Sequence, residues 1–159
     1  ATPFHMIITS GVPTQYDEAI THAAMTWNSM KRMNLIEIHR DNSYPNAPAG
    51  DGTNGIYWMT EWEADQTAEQ ARTGVKWDIS KIKEVDIKIN AKNFHFFKTG
   101  DTDISGKINI ESLMLHELGH GLGLKHIDNA TSSMQPYLAP SVSRNIPGDI
   151  DINSLNCEY

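Results

Sequence analysis

"HELGHGLGLKH", His116 to His126, places three histidines, one glutamate and three glycines in eleven residues. His116 and His120 are four apart, so on an α-helix their imidazoles stack on one face, a turn apart, and two nitrogens can meet one ion. Imidazole suits zinc. A structure-holding zinc site fills all four positions with protein ligands, whereas a catalytic one keeps a position open and needs three. Glu117 follows the first histidine. There it lies beside the open position, where a carboxylate can take a proton from a water that the ion activates and pass it to a leaving amine. The third ligand has to come from outside the helix. On a continuing helix His126 would sit about 240° around from His120 and miss the ion. Gly123 tolerates positive φ and lets the chain turn sharply, which brings His126 back. The complete pattern arises by chance in on the order of one chain in 10⁵, given ordinary residue frequencies. Gly119 and Gly121 are poor helix formers, consistent with a close approach of backbone or substrate.

The spacing predicts a helix over 110–124. Leu113, Met114, Leu115, Leu118 and Leu122 leave little of it polar, so it belongs in the middle of a domain. Upstream, Phe4 to Thr9 reads as a first strand. Thr14 is placed to cap a following helix, with Asp17 three residues on as a variant capping box. Ala19, Ile20, Ala23, Ala24, Trp27 and Met30 give that helix one apolar stripe. Leu35 to Arg40, Ile56 to Trp62 and Val85 to Asn90 read as strands, and Phe94 to Phe97 as another at a sheet edge. "DNSYPNAPAGDGTNG" (41–55) is a loop by its turn residues. "EWEADQTAEQARTG" (61–74) reads as a polar loop or short exposed helix. Residues 127–148 read as irregular, and Asp149 to Asn156 as a closing helix. The order is β-α-β-β-β-(β)-α, a loop-rich segment and a helix, an α/β (α+β) sheet with helices on one face.

The 159 residues suit one catalytic domain, with an upper part of about 1–123 and a lower part of about 124–159. The net charge is −7 and the basic residues are scattered, so nucleic acid is not an expected partner. No apolar run is long enough to span a membrane. No signal peptide is evident. Ala1 rather than Met at the start fits a mature or trimmed form as well as a cloning boundary. The single cysteine, Cys157, rules out a disulfide within the chain and reads as a bystander thiol. Any metal must then be held by His, Asp, Glu or Tyr. His5, His22, His39 and His95 share no spacing with the motif and are read as surface or core residues. Trp27, Trp58, Trp62 and Trp77 are read as packing residues.

His116, Glu117, His120, Gly123 and His126 match H-E-x-x-H-x-x-G-x-x-H, the metzincin signature, and the chain most resembles a matrixin, the catalytic domain of the matrix-metalloproteinase type. "HELGHGLGLKH" resembles that group's active-site helix. Met134 resembles the methionine of the turn beneath the zinc histidines, and Pro136 the proline of the wall segment beside the S1′ pocket. "AITHAAMTWN", "EVDIKIN" and "GDIDINSL" resemble the first helix, a sheet strand and the start of the C-terminal helix. The resemblance implies a zincin-like fold: a twisted mixed sheet with two long helices, and a loop-rich lower subdomain ending in a helix. It implies a secreted or cell-surface zinc endopeptidase, made with an inhibitory propeptide and acting on protein or peptide substrates. One catalytic zinc and a monomer are expected. Tyr137 stands three residues after Met134, not two as in astacin-like relatives, and is read as a pocket-wall residue rather than a fifth ligand. Ile127 stands where matrixins usually have Ser, and the pattern of their second zinc site is not evident. Asp101, Asp103 and Ser105 fit the first half of a calcium loop, but position twelve is Ser112 where Glu is required. The alternative there is a glycine turn capped by acidic side chains. Two rival functions stand beside the protease: a catalytically silent zinc-holding binding module, which would lack Glu117, and a metal hydrolase acting on something other than peptides.

Overall fold

The first strand, β1 (Phe4–Ile8), forms along the β-rich opening run, and α1 (Asp17–Lys31) follows it in a computed structural model describing residues 3–79 and 81–159. The stripe of Ala19, Ile20, Ala23, Ala24 and Trp27 is buried. Asp17 and Glu18 at its start and Lys31 at its end suit the helix dipole. Thr14 is not the cap expected of it. It sits in a 3₁₀ turn, Thr14–Tyr16, and α1 begins after Tyr16 with no side-chain cap. The Asp17 carboxylate is engaged instead by Arg40, whose Nε donates to it at 2.7 Å. An ion pair to the neighbouring strand outcompetes a local capping box. The helix stops at Arg32, in the left-handed region at φ 55°.

The strands β2 (Ile36–Arg40), β3 (Gly55–Met59), β4 (Ala71–Asp78) and β5 (Lys81–Asn90) join β1 in one sheet, ordered β2-β1-β3-β5-β4. All neighbours run parallel except β4, which pairs antiparallel with β5 as the edge strand. β3 is shorter than the run 56–62 suggested, and β5 begins four residues before its alternating stretch. While 61–70 is the irregular segment the sequence suggested, β4 overturns the reading of 71–74 as loop or helix. Its side chains are mostly half-buried or exposed, so no alternation marks it, while its ladder to β5 needs only backbone groups. Trp77 in β4 is likewise not a core residue. It stands beside a register shift near the end of the hairpin and is 60 % exposed. Phe96 and Phe97 form β6, which pairs with β7 (Ile108–Asn109) in a separate two-stranded sheet, not at the edge of the main one. Within the loop 41–54, Asn46 substitutes for a strand partner: its side chain accepts from Trp58 N at 2.8 Å and donates to Trp58 O at 2.7 Å.

The second long helix, α2 (Ile110–Gly121), is capped by Asn109, whose side chain accepts from Ser112 N at 2.8 Å. It is buried along nearly its whole length and shares the main apolar core with α1 and the sheet. Trp27 Nε1 of α1 donates to Leu115 O at 2.9 Å, binding the two helices together through an otherwise unsatisfied indole. The chain then runs without regular structure to α3 (Asp149–Glu158), near the expected closing helix. Cys157 on α3 is exposed. Among the described residues no helix is long and apolar enough to cross a membrane.

Candidate active site

α2 ends at Gly121, three residues short of the stretch 110–124 read as helical, and the chain turns at Gly123 as the glycine suggested. Gly123 has φ 94°, Leu124 N donates to Gly119 O at 2.9 Å, and Gly123 N donates to His120 O at 2.9 Å. This pair of bonds is a Schellman motif closed by the one residue type that bears the conformation without strain. The turn also orients a side chain: Leu124 O accepts from His120 Nδ1 at 2.8 Å. Residues past the turn bring His126 back to the helix. His116 Nε2 then lies 3.1 Å from His120 Nε2 and 3.2 Å from His126 Nε2.

These nitrogens fit a metal. His116 Nδ1 donates to Ser133 O at 2.9 Å, and His120 Nδ1 to Leu124 O. A carbonyl only accepts, so the proton of each ring resides on Nδ1 and the Nε2 lone pairs face one another. Facing lone pairs repel unless a cation stands between them. A tetrahedral zinc with Zn–N of about 2.0–2.1 Å separates its ligand nitrogens by about 3.3 Å. Among the described residues this trio is the one group of three His, Cys, Asp or Glu side chains able to share an ion. Burial pulls the His116 imidazole down to about 3, with the neighbouring His120 adding to the effect, and burial lowers His120 as well. Both rings stay neutral at physiological pH, the form that binds metal.

Met134 is fully buried against the helix. A Cβ built on Gly119 would lie 2.4 Å from Met134 Sδ, so the missing side chain at 119 is what admits the methionine. The turn that carries Met134 is fastened by Asp151 of α3, a fully buried carboxylate. It accepts from Ser132 Oγ, from Ser133 N at 2.7 Å and from Gly148 N at 2.9 Å. Asp151 thereby sets the position of the Ser133 carbonyl that orients His116. The repeated acids of "GDIDINSL" were the sequence signal for it, and spacing alone did not single it out.

Glu117 is buried beside the trio, and its carboxylate accepts from Thr73 Oγ1 of β4. Burial pushes its carboxyl up to about 7; the Thr73 hydrogen bond opposes this and the charge of Glu69 adds to it. Nothing in the sequence marked Thr73, because its strand was not legible. A cleft of about 450 Å³ opens here, with Ala71, Thr73 and Val75 of β4 on one side and Pro136, Tyr137 and Leu138 on the other. Tyr137 is 59 % exposed. Gln70 Nε2 reaches across to Leu138 O at 2.7 Å and ties the two walls together. The calcium-loop residues lie elsewhere. Asp101 accepts from Lys98 N at 2.8 Å, Asp103 pairs with Lys107 at 2.6 Å, and Gly106 has φ 69°. Both acids are engaged in a glycine-containing turn.

Comparison with known proteins agrees with this arrangement. A family model described as matrixin matches residues 9–157. The crystal structure of metalloproteinase-II from Bacteroides fragilis superposes with a TM-score of 0.54 at 13 % identity. The alignment covers 99 % of this chain and 53 % of that one, so this chain spans about half of its length, and the likeness is one of fold. No curated protein sequence matches significantly.

Proposed function

The chain belongs to the matrixin family of metzincin zinc metallopeptidases, and from that premise we propose that it is an endopeptidase whose general base is Glu117. His116, His120 and His126 hold the zinc ion. Zinc, when bound, supplies a Lewis acid that polarises a carbonyl oxygen and lowers the pKa of water. The observation that carries the reading is that His116 Nε2 lies 3.1 Å and 3.2 Å from the Nε2 atoms of His120 and His126, with Glu117 buried next to them and, among the described residues, no fourth protein ligand in the group. A site with three protein ligands leaves room for a reactant.

The remaining steps belong to the chain's own residues. An extended peptide lies in the cleft as a strand added to the free edge of β4, its backbone paired and its side chains pointing alternately to either wall. Glu117 takes the proton of the attacking water and delivers it to the nitrogen of the leaving amine. Thr73 holds the Glu117 carboxylate in place. Met134, packed into the space at Gly119, gives the histidines a rigid apolar support. The family resemblance adds secretion or surface display and a precursor with an inhibitory propeptide.

The test is cleavage of a broad peptide library by the protein and by Glu117→Ala, with zinc counted in both. The expected result is that both hold about one zinc and only the unmodified protein cuts, with a rate difference of at least ~10²-fold. If both hold zinc and neither cuts any peptide, the binding-module rival replaces the protease.

A further inference from the structure

Four charged side chains line the cleft, and three of them have evident partners or roles. Glu69 is paired with Arg72, which also holds Glu63, and Glu117 is the proposed base. The fourth is Arg144. Its backbone N–H donates to Ser112 Oγ at the start of α2 (2.7 Å), which brings its side chain behind the wall segment. The guanidinium donates to Gln135 Oε1 at 2.6 Å, Gln135 O at 3.0 Å and Tyr137 O at 3.2 Å.

All three acceptors are neutral. They occupy three of the five N–H donors of the group. Among the described residues no carboxylate lies within ion-pair distance of Arg144. Asp151, whose field reaches it, is fully engaged with Ser132, Ser133 and Gly148. Burial pulls the Arg144 guanidinium below its ordinary value, but an arginine does not discharge in a protein. A half-buried cation without a counter-ion costs stability, and the protein's own residues do not offset that cost. It lies in the same cavity as His116 and Glu117. A ligand carboxylate entering that cavity would supply the missing counter-charge and use the two free donors in the bidentate manner that arginine favours.

We propose that Arg144 makes this cleft select an acidic side chain, Asp or Glu, on a residue flanking the scissile bond. The proposal rests on the endopeptidase reading. Aspartate or glutamate at one flanking position then raises kcat/KM over leucine by roughly 10–100-fold, the span of one charge-assisted hydrogen bond.

The test profiles cleavage of N-acetylated, C-terminally amidated peptides, in which only side chains carry carboxylates, by the zinc-loaded protein and by Arg144→Met and Arg144→Glu. The acidic-over-leucine ratio should fall towards one in Arg144→Met, and lysine should become the preferred flanking residue in Arg144→Glu. Arg144 also braces the wall, and loss of bracing alone would slow all peptides in parallel with the ratio unchanged; that result overturns the proposal. So does a protein that cuts leucine and aspartate peptides equally, or one that cuts, in a parallel panel with free C-termini, only those free-acid peptides, which would assign the carboxylate to a chain terminus. If no peptide is cut, the endopeptidase reading fails. Binding of the same peptides to Glu117→Ala by fluorescence anisotropy then decides Arg144 separately. Equal affinity for acidic and leucine peptides would overturn it.

Discussion

One candidate ligand, His116, is oriented by a neighbour that lies outside the motif. His116 depends on the Ser133 carbonyl, and Ser133 depends on Asp151. Asp151→Ala is therefore expected to weaken zinc binding by about 10–100-fold, the usual effect of losing an outer partner of a ligand. It should also cost roughly 1–3 kcal/mol for the buried donors it abandons. Competition with a chromophoric chelator reads the first effect and urea unfolding the second. Unchanged zinc affinity would mean that the turn holds His116 without α3. At this scale the sequence was informative where chemistry demands rare residues in fixed register. His116, Glu117, His120, Gly123 and His126 are all within eleven residues, and the structure brings the three histidines together. Thr73, Asp151 and Arg144 come from distant segments, and no local spacing connects them to the motif.

Among the elements, the turn after α2 is the most sharply determined. Gly123 has φ 94°, and the bonds of Leu124 N and Gly123 N depend on it. Gly123→Ala is expected to cost roughly 1–2 kcal/mol for forcing a Cβ into left-handed backbone. Because His126 lies three residues beyond, zinc affinity should fall with it. A variant with normal stability and normal zinc content would contradict the role given to the turn. Helices were legible because their stripes and end charges are periodic and strong, as in Ala19 to Trp27. β4 was not, since an edge strand with water on much of its surface carries no alternation and is recruited by backbone pairing to β5. The same blindness hid one wall of the cleft, which β4 supplies. The Thr14 cap failed for a related reason: Arg40, on a strand more than twenty residues away, competes for Asp17.

For the whole molecule, acid titration and metal loading make separate demands on the fold. Asp86 of β5 is pushed up to about 6, first by burial and then by Glu84 beside it. An unfolded aspartate titrates near 3.9. Between these values the folded form binds the extra proton, so stability falls as pH rises through that window and the cost persists above it. Asp86→Asn should thus stabilise the protein at pH 8 by about 1 kcal/mol, after allowance for solvent screening. It should give no gain at pH 4. Urea unfolding at the two pH values reads the difference, and an equal effect at both would refute the assignment. Zinc held by the trio only in the folded chain should add about 4 kcal/mol at free zinc ~1,000-fold above Kd. For a chain of this size that corresponds to a Tm roughly 8–16 °C higher than with chelator. Equal Tm values would speak against the trio as a zinc site. The central claim is that His116, His120 and His126 form an open, catalytic zinc centre. Zinc K-edge absorption spectroscopy on the zinc-loaded protein tests it most directly. The account predicts one zinc with three imidazole nitrogens at about 2.0–2.1 Å and a light solvent oxygen in the fourth place. A sulfur ligand, a fourth imidazole, or no bound zinc would contradict it.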